Sequence, residues 1–113
     1  MNRNDLVNVN ERMFEIYYEH GYHSEEYQKG FREFLEVFKS VAIDCGEGAI
    51  AWENPYDFIM EGIADGYNQK HLKEALAEFK AMVDVLESIN YSRLDRWKND
   101  YEECVDVLNE YCS

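Results

Sequence analysis

Apolar residues recur at three- and four-residue steps along almost the whole chain, the spacing that lines one face of an α-helix. The first run spans about Asp5 to His20, with Leu6, Val9, Met13, Ile16, Tyr17 and His20 on one face and Gly21 placed to end it. A second opens at Ser24, a good N-cap, with Glu25 and Glu26 in the first turn, where the helix dipole favours acid. Its face is Tyr27, Phe31, Phe34, Leu35, Phe38, Val41, Ala42 and Cys45, and Gly46 and Gly48 stop it. The stretch from Glu47 to Glu53 carries Ala49, Ile50, Ala51 and Trp52, which predicts a connection packed against the core.

Asn54-Pro55 opens a third helix as a cap followed by proline at the first helical position. It carries Phe58, Ile59, Ile63 and Tyr67, while Gly62 and Gly66 weaken it enough to predict a bend or an early end. Asn68 caps the fourth, whose face is Leu72, Ala75, Leu76, Phe79, Met82, Val83, Leu86 and Ile89. Ser92 with Asp95 resembles a capping box and opens the fifth, with Leu94, Trp97, Tyr101, Cys104, Val105, Leu108, Tyr111 and Cys112 on its face. Short links between helices favour antiparallel neighbours. The expectation is an all-α fold, a compact antiparallel bundle of about five helices in a single acidic domain, residues 1–113.

Composition adds that a real core is within reach, because 46% of residues are hydrophobic. The three cysteines fit no disulfide framework and read as free thiols of a reducing compartment. Cys45 and Cys104 fall on apolar faces and are expected in the core, with Cys112 more exposed. The opening MNRNDLVNVNERM has no apolar run of the kind a secretory leader carries, and no segment is apolar enough to span a bilayer. A cytoplasmic location is therefore expected.

Charge changes the picture most. The net charge is −13, a field that repels nucleic acid and anionic membranes and attracts basic protein surfaces. The acid is unevenly placed. Residues 40–69 hold six acids and no base, residues 99–113 hold five acids and no base, and residues 70–98 are close to neutral. Within these blocks Glu53, Asp57, Glu61 and Asp65 stand at i, i+4 steps, as do Glu102, Asp106 and Glu110. Glu11, Glu15 and Glu19 repeat the pattern near the start, beside Arg12.

Residues four apart share a helix face, and each step advances about 6 Å. Like charges at that spacing cost a few tenths of a kcal/mol per pair, so the ladders do not serve helix stability. Every second phosphate of a DNA strand advances about 6.8 Å. A carboxylate row on a rigid helix can therefore present a phosphate-like row to a DNA-binding protein. The competing reading is a solvated face that confers solubility.

Other constellations carry less. His20 and His23 straddle the helix end at Gly21, which suits a dipole contact better than a shared metal. The Glu-x-x-His signature of di-iron bundles is absent, and Gly46-Glu47-Gly48 lacks the Lys and Ser/Thr of a phosphate loop. No local spacing suggests a catalytic triad, so no catalytic residue, metal or cofactor is expected. Tyr17, Tyr18, Tyr22 and Tyr27 cluster around the first turn, and tyrosine is enriched at partner surfaces.

Asn54-Pro55-Tyr56 opening an acidic middle helix, and a last helix with Trp97 followed by Leu108-Asn109-Glu110-Tyr111, resemble the phage-encoded acidic DNA-mimic inhibitors of host defence, the Ocr-like antirestriction proteins. The resemblance covers about a third of the chain. It implies an all-helical homodimer that occupies the DNA groove of a restriction enzyme. The chain departs from that family in its lower acidity, its near-neutral fourth helix and its spacing from Trp97 to Leu108. Small acidic anti-CRISPR proteins follow the same electrostatic logic.

The sequence thus supports a non-enzymatic inhibitor whose partner is a basic, nucleic-acid-binding host protein, with no direct nucleic-acid or membrane binding. Its partner-binding residues would be Glu53, Asp57, Glu61, Asp65, Glu102, Asp106 and Glu110, with Glu11, Glu15 and Glu19. An acidic helical adaptor whose charge only confers solubility stands beside it.

Overall fold

Asn2 starts the first helix with a reciprocal cap. Its side-chain oxygen accepts from the Asp5 N–H at 3.2 Å, and its own N–H donates to the Asp5 carboxylate at 2.8 Å. These bonds satisfy two backbone donors that a bare helix end would leave open, and α1 runs Arg3–His20. Gly21 ends it at φ +85, a conformation costly for residues with a Cβ, while its N–H donates to the Tyr17 carbonyl at 2.9 Å. Ser24 caps α2 (Glu25–Asp44) by accepting from the Tyr27 N–H at 3.0 Å.

The computed structural model describes residues 1–46 and 48–113. The sequence readings that include Glu47, the Gly46-Glu47-Gly48 run and the start of the connecting stretch, lie outside the described residues at that position. A 3-10 turn follows at Ala51–Glu53, then α3 (Tyr56–Ala64), α4 (Gln69–Ser88) and α5 (Leu94–Cys112). Among the described residues there are five α-helices and no strand, so the fold is all-α. No helix among them is long and apolar enough to cross a membrane.

The chain divides into two compact units, Met1–Ala51 and Trp52–Ser113. In the first, α1 and α2 form an antiparallel hairpin. The Met1 ammonium reaches Asp44 at 3.2 Å, so the start of α1 lies beside the end of α2. At the other end Tyr17, Tyr22 and Tyr27 pack ring against ring at 5.3–5.7 Å. Buried Gly30 lets the helices approach, since a Cβ there would stand 3.3 Å from Ile16 Cδ1.

In the second unit α4 and α5 form an antiparallel hairpin, with fully buried Phe79 edge-on to Trp97 at 6.0 Å and to Tyr101 at 5.5 Å. The short α3 lies against both. Gly62 presses on α4, where a Cβ would come within 2.6 Å of Leu72 Cδ2. Along α5, Tyr56 meets Glu103 and the Tyr67 carbonyl meets the Tyr111 hydroxyl, so α3 runs parallel to α5 and antiparallel to α4.

Four expectations need correcting. Ser92 is not the N-cap of α5. Arg93 occupies the N-cap of α5 without a side-chain cap bond, because backbone bonds from Tyr91 to Leu86 (3.0 Å) and Leu94 to Tyr91 (3.1 Å) close the turn. Cys45 is exposed, not core: α2 ends at Asp44, and the Cys45 thiol donates to the Met1 carbonyl at 3.2 Å. Cys112 is half-buried, and Cys104 is buried as expected. In the connection Ile50 is fully buried but Trp52 is 75% exposed. Of the four clustered tyrosines only Tyr18 is well exposed; the other three build the end of the hairpin.

Candidate acidic interface

Proline decides where the middle ladder begins. The residue before a proline is disfavoured in the α-region, so Asn54 cannot continue a helix into Pro55. The Asn54 side chain instead accepts from the Tyr56 N–H at 2.9 Å, and the Pro55 carbonyl takes the first helical bond from Ile59 at 3.0 Å. Pro55 is thus at the cap position, one residue earlier in the helix register than the sequence suggested. Glu53 stays in the preceding 3-10 turn, half-buried. The four-step ladder is therefore a row of three, Asp57, Glu61 and Asp65, with Asp65 at the C-cap of α3 and still helical in conformation.

Glu102, Asp106 and Glu110 all lie within α5, and Glu11, Glu15 and Glu19 within α1. All nine of these helical acids are exposed. The α1 row belongs to the first unit.

At about 100° per residue, each i, i+4 step drifts about 40° around the helix. In α3 the side bearing Tyr56 faces α5 and the side bearing Gly62 faces α4. Asp57 accordingly leans toward α5, Glu61 points outward and Asp65 leans toward α4. In α5 the Phe79 contacts place Tyr101 and Trp97 toward α4, and Asp100 and Glu103 toward α3. By the same geometry Glu110 falls nearest that side, and Asp106 and then Glu102 turn progressively outward. The acids bonded toward the α3 side are Asp100 and Glu103.

Asp100 and Glu103 were not singled out by the ladder pattern, yet they join the two helices. The Asn54 amide donates to Asp100 at 3.2 Å, and the Tyr56 hydroxyl donates to Glu103 at 2.7 Å. Their signal in the sequence was the base-free block at 99–113 together with positions that edge the buried Trp97–Cys104–Leu108 seam.

The hydrogen bond to Glu103, followed by desolvation and the nearby negative charge, pushes the Tyr56 phenol up to about 12 from 10.0. The neutral phenol is the form the fold prefers. Its contribution is complete below pH 10 and is lost as pH rises through about 12. In an alkaline titration followed by tyrosinate absorbance, the Tyr56 phenol should ionise late, near 12, and Tyr56→Phe should remove its step. The stability difference between the wild type and Tyr56→Phe should shrink over the same interval.

Some charges on α4 have partners of opposite sign close by. Lys80 donates to Asp84, Lys98 lies 3.2 Å from Glu87, and His71 lies 3.6 Å from Glu74. Asp57, Glu61, Asp65, Glu102, Asp106 and Glu110 have no salt-bridge partner among the described residues. Exposed aromatics stand close by, with Phe58 and Tyr67 in an edge contact at 6.4 Å. No cluster of three or more His, Cys, Asp or Glu suited to a metal ion occurs among the described residues. Comparison with protein-family models, curated proteins and solved structures finds no match.

Proposed function

We propose that the second unit is a DNA mimic, and that the protein is a non-enzymatic inhibitor of a host-defence nuclease of the restriction or CRISPR type. One observation supports this reading above the others. Acid on α3 and on the C-terminal half of α5 is left without ion-pair partners among the described residues, while Asp84 and Glu87 of α4 lie against Lys80 and Lys98. Solubility alone gives no reason for such a division.

The contact set on this reading is Asp57, Asp106 and Glu110 with Asp100 and Glu103, flanked by Glu61, Asp65 and Glu102. Glu53 contributes less, because it is off the helix and half-buried. Carboxylates about 6 Å apart along a helix would meet the Lys and Arg side chains that a nuclease offers to alternate phosphates. The inhibitor would act in the cytoplasm of the host, and its partner would be the nucleic-acid-binding cleft itself.

The test is displacement. A host nuclease captured at low salt should release its bound DNA as this protein is added. The effect should weaken once salt shortens the screening length below about 10 Å. Exposed Trp52, Phe58 and Tyr67 favour a second reading, an adaptor that binds through aromatic contacts. That reading predicts a partner whose binding is insensitive to salt and leaves its DNA in place.

A further inference from the structure

The outer face of α1 carries a second apolar stripe, separate from its buried one. Val7, Phe14 and Tyr18 are 38%, 58% and 82% exposed, while Leu6, Val9 and Met13 on the other face are buried. Steps of seven and four residues bring Val7, Phe14 and Tyr18 to within about 40° of one line, over roughly 16 Å of helix. A soluble helix needs one apolar face for its own core; this stripe is in excess of that need.

The acid row lies directly beside it. By the same geometry Glu11, Glu15 and Glu19 form one continuous border, turned about 40° to 120° from the stripe. Glu11 and Glu15 have no salt-bridge partner among the described residues, and Glu19 has only His20 at 3.7 Å. Arg12 lies about 20° beyond the row, on the side away from the stripe, so the edge next to the apolar seam is acid, the arrangement by which paired helices select a partner of the opposite sign.

A second copy fits this face poorly. Antiparallel pairing on the stripe would set one Glu row against the other. Parallel pairing would bring the row against the flank of Asn10 and Tyr17, where Arg3 is the only cation among the described residues.

We propose that this face of α1 docks an amphipathic helix of a basic partner, apolar side chains on Val7, Phe14 and Tyr18 and Lys or Arg side chains on Glu11, Glu15 and Glu19. The site is in the first unit, so it stands or falls independently of the acidic interface on α3 and α5.

The experiment uses the full chain and three labelled synthetic peptides followed by fluorescence anisotropy. One is a helix with Leu on one face and Lys flanking it, one is a scramble of the same composition, and one has Glu in place of Lys. The Leu/Lys helix should bind at least about tenfold tighter than its scramble, a difference of about 1.4 kcal/mol. Phe14→Gln with Tyr18→Gln keeps good helix formers at exposed positions and should abolish that preference with the circular dichroism unchanged. Reversing Glu11, Glu15 and Glu19 to Lys should transfer the preference to the Leu/Glu peptide.

Equal binding of helix and scramble would overturn the proposal, as would full binding by the Phe14/Tyr18 variant. So would sedimentation showing a self-association that the same variant abolishes, since the occupant would then be a second copy.

Discussion

Phe79→Ala should unfold the second unit more readily than any exposed substitution in it, with a loss of about 3–5 kcal/mol. Phe79 is fully buried and touches two aromatic rings of α5, Trp97 and Tyr101. Truncation removes the transfer energy of the ring, leaves a cavity in the α4–α5 seam, and forfeits edge contacts worth roughly 0.5–1.5 kcal/mol each beyond area burial. Against a typical domain stability of about 5–15 kcal/mol, little margin would remain.

In thermal melts the midpoint should fall by at least about 12 °C. The same change at Phe58, 51% exposed, should cost less than about 1 kcal/mol. Equal losses at the two positions would contradict the packing described. On the proposed DNA-mimic reading the effect would reach binding through α5, since Asp106 and Glu110 hold their spacing only while that helix is formed.

The helices themselves were legible because periodicity and capping agreed. Leu72, Phe79, Met82, Val83 and Leu86 are buried on α4 as their spacing required, and Ser24 and Asn68 cap α2 and α4. The Asn2–Asp5 box, which forms, carries the same kind of sequence signal as Ser92–Asp95. At the second, backbone bonds in the turn chose a different start for α5.

The acidic rows were legible as spacing but not as a surface. Proline at position 55 removed Glu53 from α3, which the sequence contained the means to see. The link of Asp100 and Glu103 to α3 depends on which side of α5 that helix occupies, which no local pattern encodes. Cys45 followed an apolar periodicity past the last residue of α2, where a face no longer exists.

The second large effect concerns the acids of α3. On the proposed DNA-mimic reading, replacing Asp57, Glu61 and Asp65 together by Lys should weaken inhibition by on the order of 100-fold or more, since attraction to a basic cleft becomes repulsion at the contact residue and at its two flanking positions. The fold should tolerate it. Lys is a good helix former, all three side chains are exposed, and none has a salt-bridge partner among the described residues. Acid is favoured at the start of a helix and base at its end. Asp57 in the first turn and Asp65 at the C-cap therefore shift stability in opposite directions by similar small amounts.

The most direct measurement is the displacement of DNA from the captured nuclease by the wild type and by this triple variant, at one low salt concentration. The wild type should release the DNA, and the triple variant, with an unchanged helical signal, should leave it bound. Equal release by both proteins would contradict the account.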